Sequence, residues 1–366
     1  WWAEPTLLHD PDLEEARAST RMEQVIAESG RRWRKEQSTS RTQMFEHYGT
    51  GDLHSALAVA ESASRQYPEK VTKTAYWKAC ILSLMRRPDE AVCALERGLS
   101  EGAWWAEPTL LHDPDLEEAR ASTRMEQVIA ESGRRWRKEQ STSRTQIFTL
   151  TPGVEATAHG SQPKAKGTPP PLMLAFHWRN GSGPEFIDRF RPAAESMGFL
   201  VASVQSSQMC AKAEYCWDDQ AQGEQEVLQS FASLRASHAF DHSNTILAGA
   251  SQGGRLAITM SLAGGSRKGW SPDSPYLASR GFVAVVPAIR DVDMFLPYAE
   301  SAARRGVRGY IITGERDHFV NEASKLQTAL RNAGVDCFME VVKDMPHTFP
   351  RDFPDRLTRA IQFVMA

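Results

Sequence analysis

The chain has 366 residues, 41% apolar and 24% charged, ordinary values for a globular protein too long for one typical core. A formal net charge of −3 gives no surplus to attract nucleic acid or an anionic membrane, and no run approaches the ~18 apolar residues of a membrane span. Five scattered cysteines, Cys80, Cys93, Cys210, Cys216 and Cys337, are an odd number and exclude a disulfide framework. With no signal-peptide pattern in the first 30 residues, the expectation is a reducing, cytoplasmic location.

Trp1 through Gln43 recurs letter for letter as Trp104 through Gln146. Structural repeats drift while keeping a pattern, so a recent duplication, an engineered chain or an artefact of the sequence record stay open. Met44, directly after the first copy, reads as an original start. Two identical segments compete for one docking site, so one copy is expected to fray, pack elsewhere or swap into a neighbour as a homodimer. The expected organisation is the duplicated segment 1–43, a helical domain 44–146 and a catalytic domain 147–366.

Asp52 caps a predicted helix from Leu53 to Arg65, with Leu53, Ala56, Leu57, Ala60 and Ala63 at helical spacing and Tyr67-Pro68 closing it. Thr74 to Met85 and Asp89 to Leu99, joined by Arg86-Arg87-Pro88, predict a helical hairpin. Tyr76, Trp77 and Leu84 with Ala91 and Ala94 give a large-small alternation that resembles the tetratricopeptide repeat over about two repeats. His112 to Glu117 then predicts the start of a last helix running toward Trp136, with Leu116, Ala119, Met125, Val128 and Ile129 on its buried side. The basic clusters at residues 31–35 and 134–138 read as solvated helix ends.

After Gln146 the period changes. Short apolar runs, Leu172 to Phe176, Phe199 to Val204, Thr245 to Ala248, Phe282 to Val286, Tyr310 to Thr313 and Phe338 to Val342, alternate with helical patterns. That alternation predicts an α/β domain with a doubly wound, mostly parallel sheet covered on both faces. Ile147 to Leu150 is expected to start an antiparallel edge hairpin whose tip lies between His159 and Pro171.

Gly249-Ala250-Ser251-Gln252-Gly253 places a serine in G-x-S-x-G directly after the run Thr245 to Ala248, the pattern of a strand-to-helix elbow that exposes a nucleophile. A serine hydroxyl needs a base, and the base needs a carboxylate to orient it. Downstream, Asp317 follows the run Tyr310 to Thr313, with Glu315 as its competitor, and His347 follows the run Phe338 to Val342. His318 stands too early in chain order to be the base, and His242 precedes the nucleophile strand.

With that order, residues Gln146 to Ala366 resemble the small bacterial carboxylesterase/phospholipase family of the α/β-hydrolase superfamily, with relatives among dienelactone hydrolases. Gly249 to Gly254 matches its G-[FA]-S-Q-G-G elbow, and Phe176 to Gly183 matches in part its H-G-x-G loop. The resemblance implies an oxyanion hole from the backbone N–H of Gln252 and a second N–H from that loop. His177 falls on the family histidine, Trp178 replaces the following glycine, and Arg179 is the positional donor, with Trp178 as the alternative.

His177, Met209 and Trp217 are the expected pocket residues, with Trp178 as a further apolar wall; the alternative for Trp217 is packing of its loop onto the domain. Asp218 and Asp219 read as helix caps. The expected activity is cleavage of short or medium carboxylic esters of small molecules without cofactor or metal. A prolyl-oligopeptidase-type peptidase and a helical interaction scaffold with a degenerate hydrolase are the alternatives.

Overall fold

The structure, a computed structural model, describes residues 39–150, 169–264, 277 and 279–366. The expectations for the first copy of the duplicated segment therefore lie outside the described residues, except for its last five, which are helical. The same holds for most of the expected hairpin tip. The chain divides into two compact units, one whose described part is residues 39–103 and 111–128, the other residues 104–110 and 129–366. Residues 104–110 and 129–146, assigned from sequence to the helical domain, thus pack with the sheet.

In the helical unit, α1 (Leu53–Gln66) begins where the Asp52 side chain accepts the Ser55 N–H at 3.1 Å. It buries Ala56, Leu57, Ala60 and Ala63 and stops before a short turn at Pro68–Lys70. Helix α2 (Val71–Leu84) packs against α1 and against α3 (Pro88–Ser100), which opens on Pro88, where a missing N–H costs nothing. The single helix predicted from His112 is not formed. Instead α4 (Glu107–His112) gives way to 3₁₀ turns at Pro114–Leu116 and Ala119–Ala121, and α5 (Thr123–Gln140) starts afresh. Asp113 takes the Asp115 N–H at 3.0 Å and Ser122 is extended (φ −79°, ψ 129°), so local side-chain capping wins over helical continuation. The Tyr48 and Tyr76 hydroxyls donate to Asp115 and Asp113, each at 2.5 Å, and fix that break.

The second unit is built on a seven-stranded sheet. Its strands are β1 (Gln146–Leu150), β2 (Pro171–Phe176), β3 (Leu200–Gln205), β6 (Asp241–Ala250), β7 (Gly281–Val285), β8 (Arg308–Gly314) and β9 (Asp336–Val342). Their order is β1-β3-β2-β6-β7-β8-β9, and only β1 is antiparallel to its neighbour. Each of the six apolar runs after residue 170 lies within or overlaps one of the parallel strands. The edge hairpin needs correcting, because β1 pairs with β3 and not with β2. Both edges of β2 are taken by its parallel partners β3 and β6, so β1 cannot pair with β2 and lies instead on the outer edge of β3.

Side chains alternate between the two faces with period two. Leu172, Leu174 and Phe176 join one core with α7 (Gln220–Ser237), α8 (Gln252–Ala263), α9 (Leu296–Arg304) and α10 (Val320–Asn332). Met173 and Ala175 join the other with α6 (Gly183–Ser196) and α11 (Phe353–Met365). A small ribbon, β4 (Met209–Ala211) with β5 (Glu214–Tyr215), is extended by the second copy of the duplicated segment: Trp105 bridges Ala211, and the Ala106 N–H donates to the Cys210 carbonyl at 2.8 Å. Trp104 and Trp105 are fully buried there. All five cysteines are unpaired thiols.

Candidate active site

Strand β6 ends at Ala250 and α8 begins at Gln252, leaving Ser251 alone at the turn with φ 53° and ψ −116°. A non-glycine residue held at positive φ costs energy that its surroundings must repay. Here the Ser251 N–H donates to the Val285 carbonyl at 2.9 Å, and its own carbonyl accepts the Ala288 N–H at 3.0 Å. The elbow also needs its glycines. A Cβ on Gly249 would come within 2.4 Å of the Gly253 carbonyl oxygen, and one on Gly253 within 2.2 Å of the Phe176 carbonyl oxygen. The strand order, the parallel crossovers and this elbow decide the architecture. This is the α/β-hydrolase fold.

The loops after β7, β8 and β9 converge on Ser251 at the same sheet edge. His347 Nε2 lies 2.9 Å from Ser251 Oγ, and His347 Nδ1 lies 2.9 Å from Asp317 Oδ1. Asp317 is buried and anchored twice more, accepting the Phe319 N–H on Oδ1 at 3.0 Å and the Thr313 hydroxyl on Oδ2 at 3.0 Å. Burial works to raise the Asp317 pKa, but the His347 hydrogen bond and charge, with those two donors, outweigh it and hold the carboxyl below its ordinary value. An ionised Asp317 then keeps a proton on His347 Nδ1 and leaves Nε2 to accept from the serine.

The competitors fall elsewhere. Glu315 accepts the Asp344 N–H at 3.0 Å in the outer turn. His242 sits near the start of β6, against Phe240, at the far end of the strand from Ser251. His318 is exposed, its ring tilted against that of Phe319; its Nδ1 is 3.8 Å from Asp317 Oδ1, and partial desolvation and then the His347 charge push its pKa down.

The N–H of Gln252, at the first helical position, has no intrahelical acceptor. On the facing loop, the Asn180 N–H is taken by the Tyr215 carbonyl at 2.9 Å and the Gly181 N–H by the Trp178 carbonyl at 3.2 Å; the two expected donors, Trp178 and Arg179, directly precede them on this loop. The bulky Trp178 does not splay this loop. Its ring is buried against Phe186 and Phe349, and Gly181 makes room, since a Cβ there would meet Trp178 Cδ1 at 2.6 Å.

The structure does not bring the expected pocket residues to an open wall. His177 is fully buried, stacked on Trp217 at 4.8 Å, with Nδ1 donating to the Trp178 carbonyl (2.8 Å) and Nε2 accepting the Ser206 N–H (3.2 Å). Burial depresses its pKa to about 4, so it is a neutral pin between two loops. Trp217 is 1% exposed and donates from Nε1 to the His177 carbonyl at 2.8 Å. Met209 is buried in the ribbon, between backbone bonds to Gln140 and Trp136. An apolar residue reads the same from sequence whether it lines a cleft or backs it.

Two features escaped the sequence reading. Asp219 caps α7, but Asp218 ties the start of α8 to the loop after β2: it accepts from Gln252 Nε2 at 2.7 Å and pairs with Arg179 Nη2 at 3.3 Å. The Gln252 Oε1 in turn takes the Trp217 N–H at 2.9 Å. Thr313 is the other, an ordinary strand residue by pattern whose hydroxyl holds the Asp317 carboxylate.

No family model and no curated relative matches the chain. Among solved structures, it is similar to an uncharacterized protein from Bacillus cereus ATCC 10987, at 17% identity and TM-score 0.48, over 90% of this chain and 99% of that one. It is also similar to esterase PE8, at 18% identity and TM-score 0.44, over 56% of this chain and 97% of that one. A hyperthermophilic esterase from the archaeon Pyrobaculum calidifontis matches at 16% identity and TM-score 0.40, over 63% of this chain and 92% of that one.

Proposed function

We propose that the chain is a serine hydrolase that cleaves carboxylic esters of short or medium acyl chains. The observation that carries this reading is the unbroken relay from Ser251 through His347 to a buried, ionised Asp317, at 2.9 Å per step. Ser251 Oγ attacks the ester carbonyl as His347 Nε2 takes its proton. The tetrahedral oxyanion forms against the N–H of Gln252 and the N–H of Arg179 or Trp178, helped by the positive end of the α8 dipole. Collapse expels the alkoxide, which takes the proton back from His347 and leaves an acyl group on Ser251. A water molecule, deprotonated by His347, then frees the acid by the same steps in reverse.

The test is turnover of p-nitrophenyl acetate and butyrate by wild type and by Ser251→Ala. Wild-type rates no higher than those of the variant would end this reading for such esters.

A further inference from the structure

Two arginines stand near the nucleophile with no ion-pair partner among the described residues. Arg255 lies on the first turn of α8, four residues beyond Ser251 and partly buried. Among the described residues its Nε is buried with no hydrogen-bond partner, and its Nη2 makes one long bond, 3.4 Å, to the Trp217 carbonyl. The carboxylates in range of its charge are committed elsewhere: Asp218 to Arg179 and Gln252, Glu224 to Gln220 Nε2 at 2.9 Å. Arg290 is exposed in the loop after β7, two residues beyond Ala288, whose N–H binds the Ser251 carbonyl. It has no hydrogen bond or ion pair among the described residues.

The Arg290 charge reaches both Arg255 and His318, and the His318 ring lies 4.9 Å from that of His347. Burial and then the Arg290 charge lower the Arg255 pKa, as expected for a desolvated cation beside a second cation. A buried, unbonded guanidinium N–H is costly unless something arrives to accept from it. The planar guanidinium fork fits a carboxylate or phosphate.

We propose that Arg255 and Arg290 bind an anionic oxygen group, carboxylate or phosphate, on the substrate at a distance from its scissile carbonyl. The proposal rests on the ester-hydrolase reading and narrows its substrate class to anionic esters.

The experiment compares kcat/KM for the mono-p-nitrophenyl ester of glutaric acid with that for p-nitrophenyl pentanoate, which has a methyl in place of the distal carboxylate. Wild type is expected to favour the anionic ester by at least about tenfold, the worth of one charge-assisted hydrogen bond. The ratio should fall toward one in Arg255→Gln, in Arg290→Gln and with added salt. A purely structural Arg255 would slow both esters alike and leave the ratio unmoved. In parallel, calorimetry on the Ser251→Ala protein measures binding of glutarate and of phenyl phosphate, each with and without Arg255→Gln, and separates the two anion sources. Turnover of the pentanoate with no anionic preference and no arginine-dependent binding would overturn the anion site and leave the esterase standing. Arginine-dependent binding with no turnover of either ester would do the reverse.

Discussion

Replacing Asp317 by Asn removes the charge opposite His347 but need not spoil the tautomer. In the wild type, Oδ1 accepts both the Phe319 N–H and His347 Nδ1–H, while Oδ2 faces the Thr313 hydroxyl. An amide turned with its NH₂ toward Phe319 would set donor against donor at a buried position, at a cost of about 1–3 kcal/mol. The carbonyl should therefore stay on the His347 side and the NH₂ should face Thr313, whose hydroxyl can rotate to accept. What is lost is the attraction between carboxylate and forming imidazolium, about 4 kcal/mol for charges roughly 4 Å apart at an effective dielectric near 20. The retained neutral hydrogen bond returns about 1 kcal/mol, so the net of about 3 kcal/mol lowers kcat/KM by about 10²-fold. Steady-state hydrolysis of p-nitrophenyl butyrate by the two proteins measures this. A loss of about 10⁴-fold or more, the size associated with a wrong tautomer, would refute the orienting role given to Phe319 and Thr313.

Acid should loosen the fold through His177, whose pKa drops from 6.5 to about 4 on burial. The unfolded chain binds the proton more readily, so this stabilisation is complete above pH 6.5 and is lost as pH falls through about 4; the loss totals about 3 kcal/mol. Urea midpoints at pH 7 and 4.5 should differ less in His177→Gln than in wild type, and an equal difference would remove His177 as the cause. Gly253→Ala presses a methyl onto the Phe176 carbonyl, which as backbone cannot step aside, and should lower Tm and abolish ester turnover; an unchanged Tm would show the approach to be looser. Trp105→Ala empties a fully buried site beside the β4–β5 ribbon and should cost about 3–5 kcal/mol, visible as a large Tm drop. A drop within the range of a surface substitution would mean that residues 104–110 do not belong to the core of the sheet unit.

What sequence could reveal here depended on how local each signal is. The convergence of Ser251, Asp317 and His347 was legible because an elbow and two strand-end loops carry them in fixed order, and the structure brings their side chains together at 2.9 Å per step. The break at Asp113 and Ser122 was not, since both residues tolerate a helical pattern until their side chains find backbone donors. The partner of β1 was unreadable because pairing depends on which sheet edges are already filled. Trp217, His177 and Met209 are all buried in the structure, and hydrophobicity says that a residue is covered, not by what. Asp218 and Arg255 matter only through residues 34 and 38 positions away or more, and no window along the chain contains those pairs.

The clamp on Ser251 has a consequence for how this elbow can be altered. Both peptide groups of the residue are held, one by the Val285 carbonyl and one by the Ala288 N–H, and neither bond involves its side chain. The direction in which the Cβ points is thus written into the backbone of the neighbouring strand and loop. The position behaves as a mounting, and the hydroxyl is the tool fitted to it.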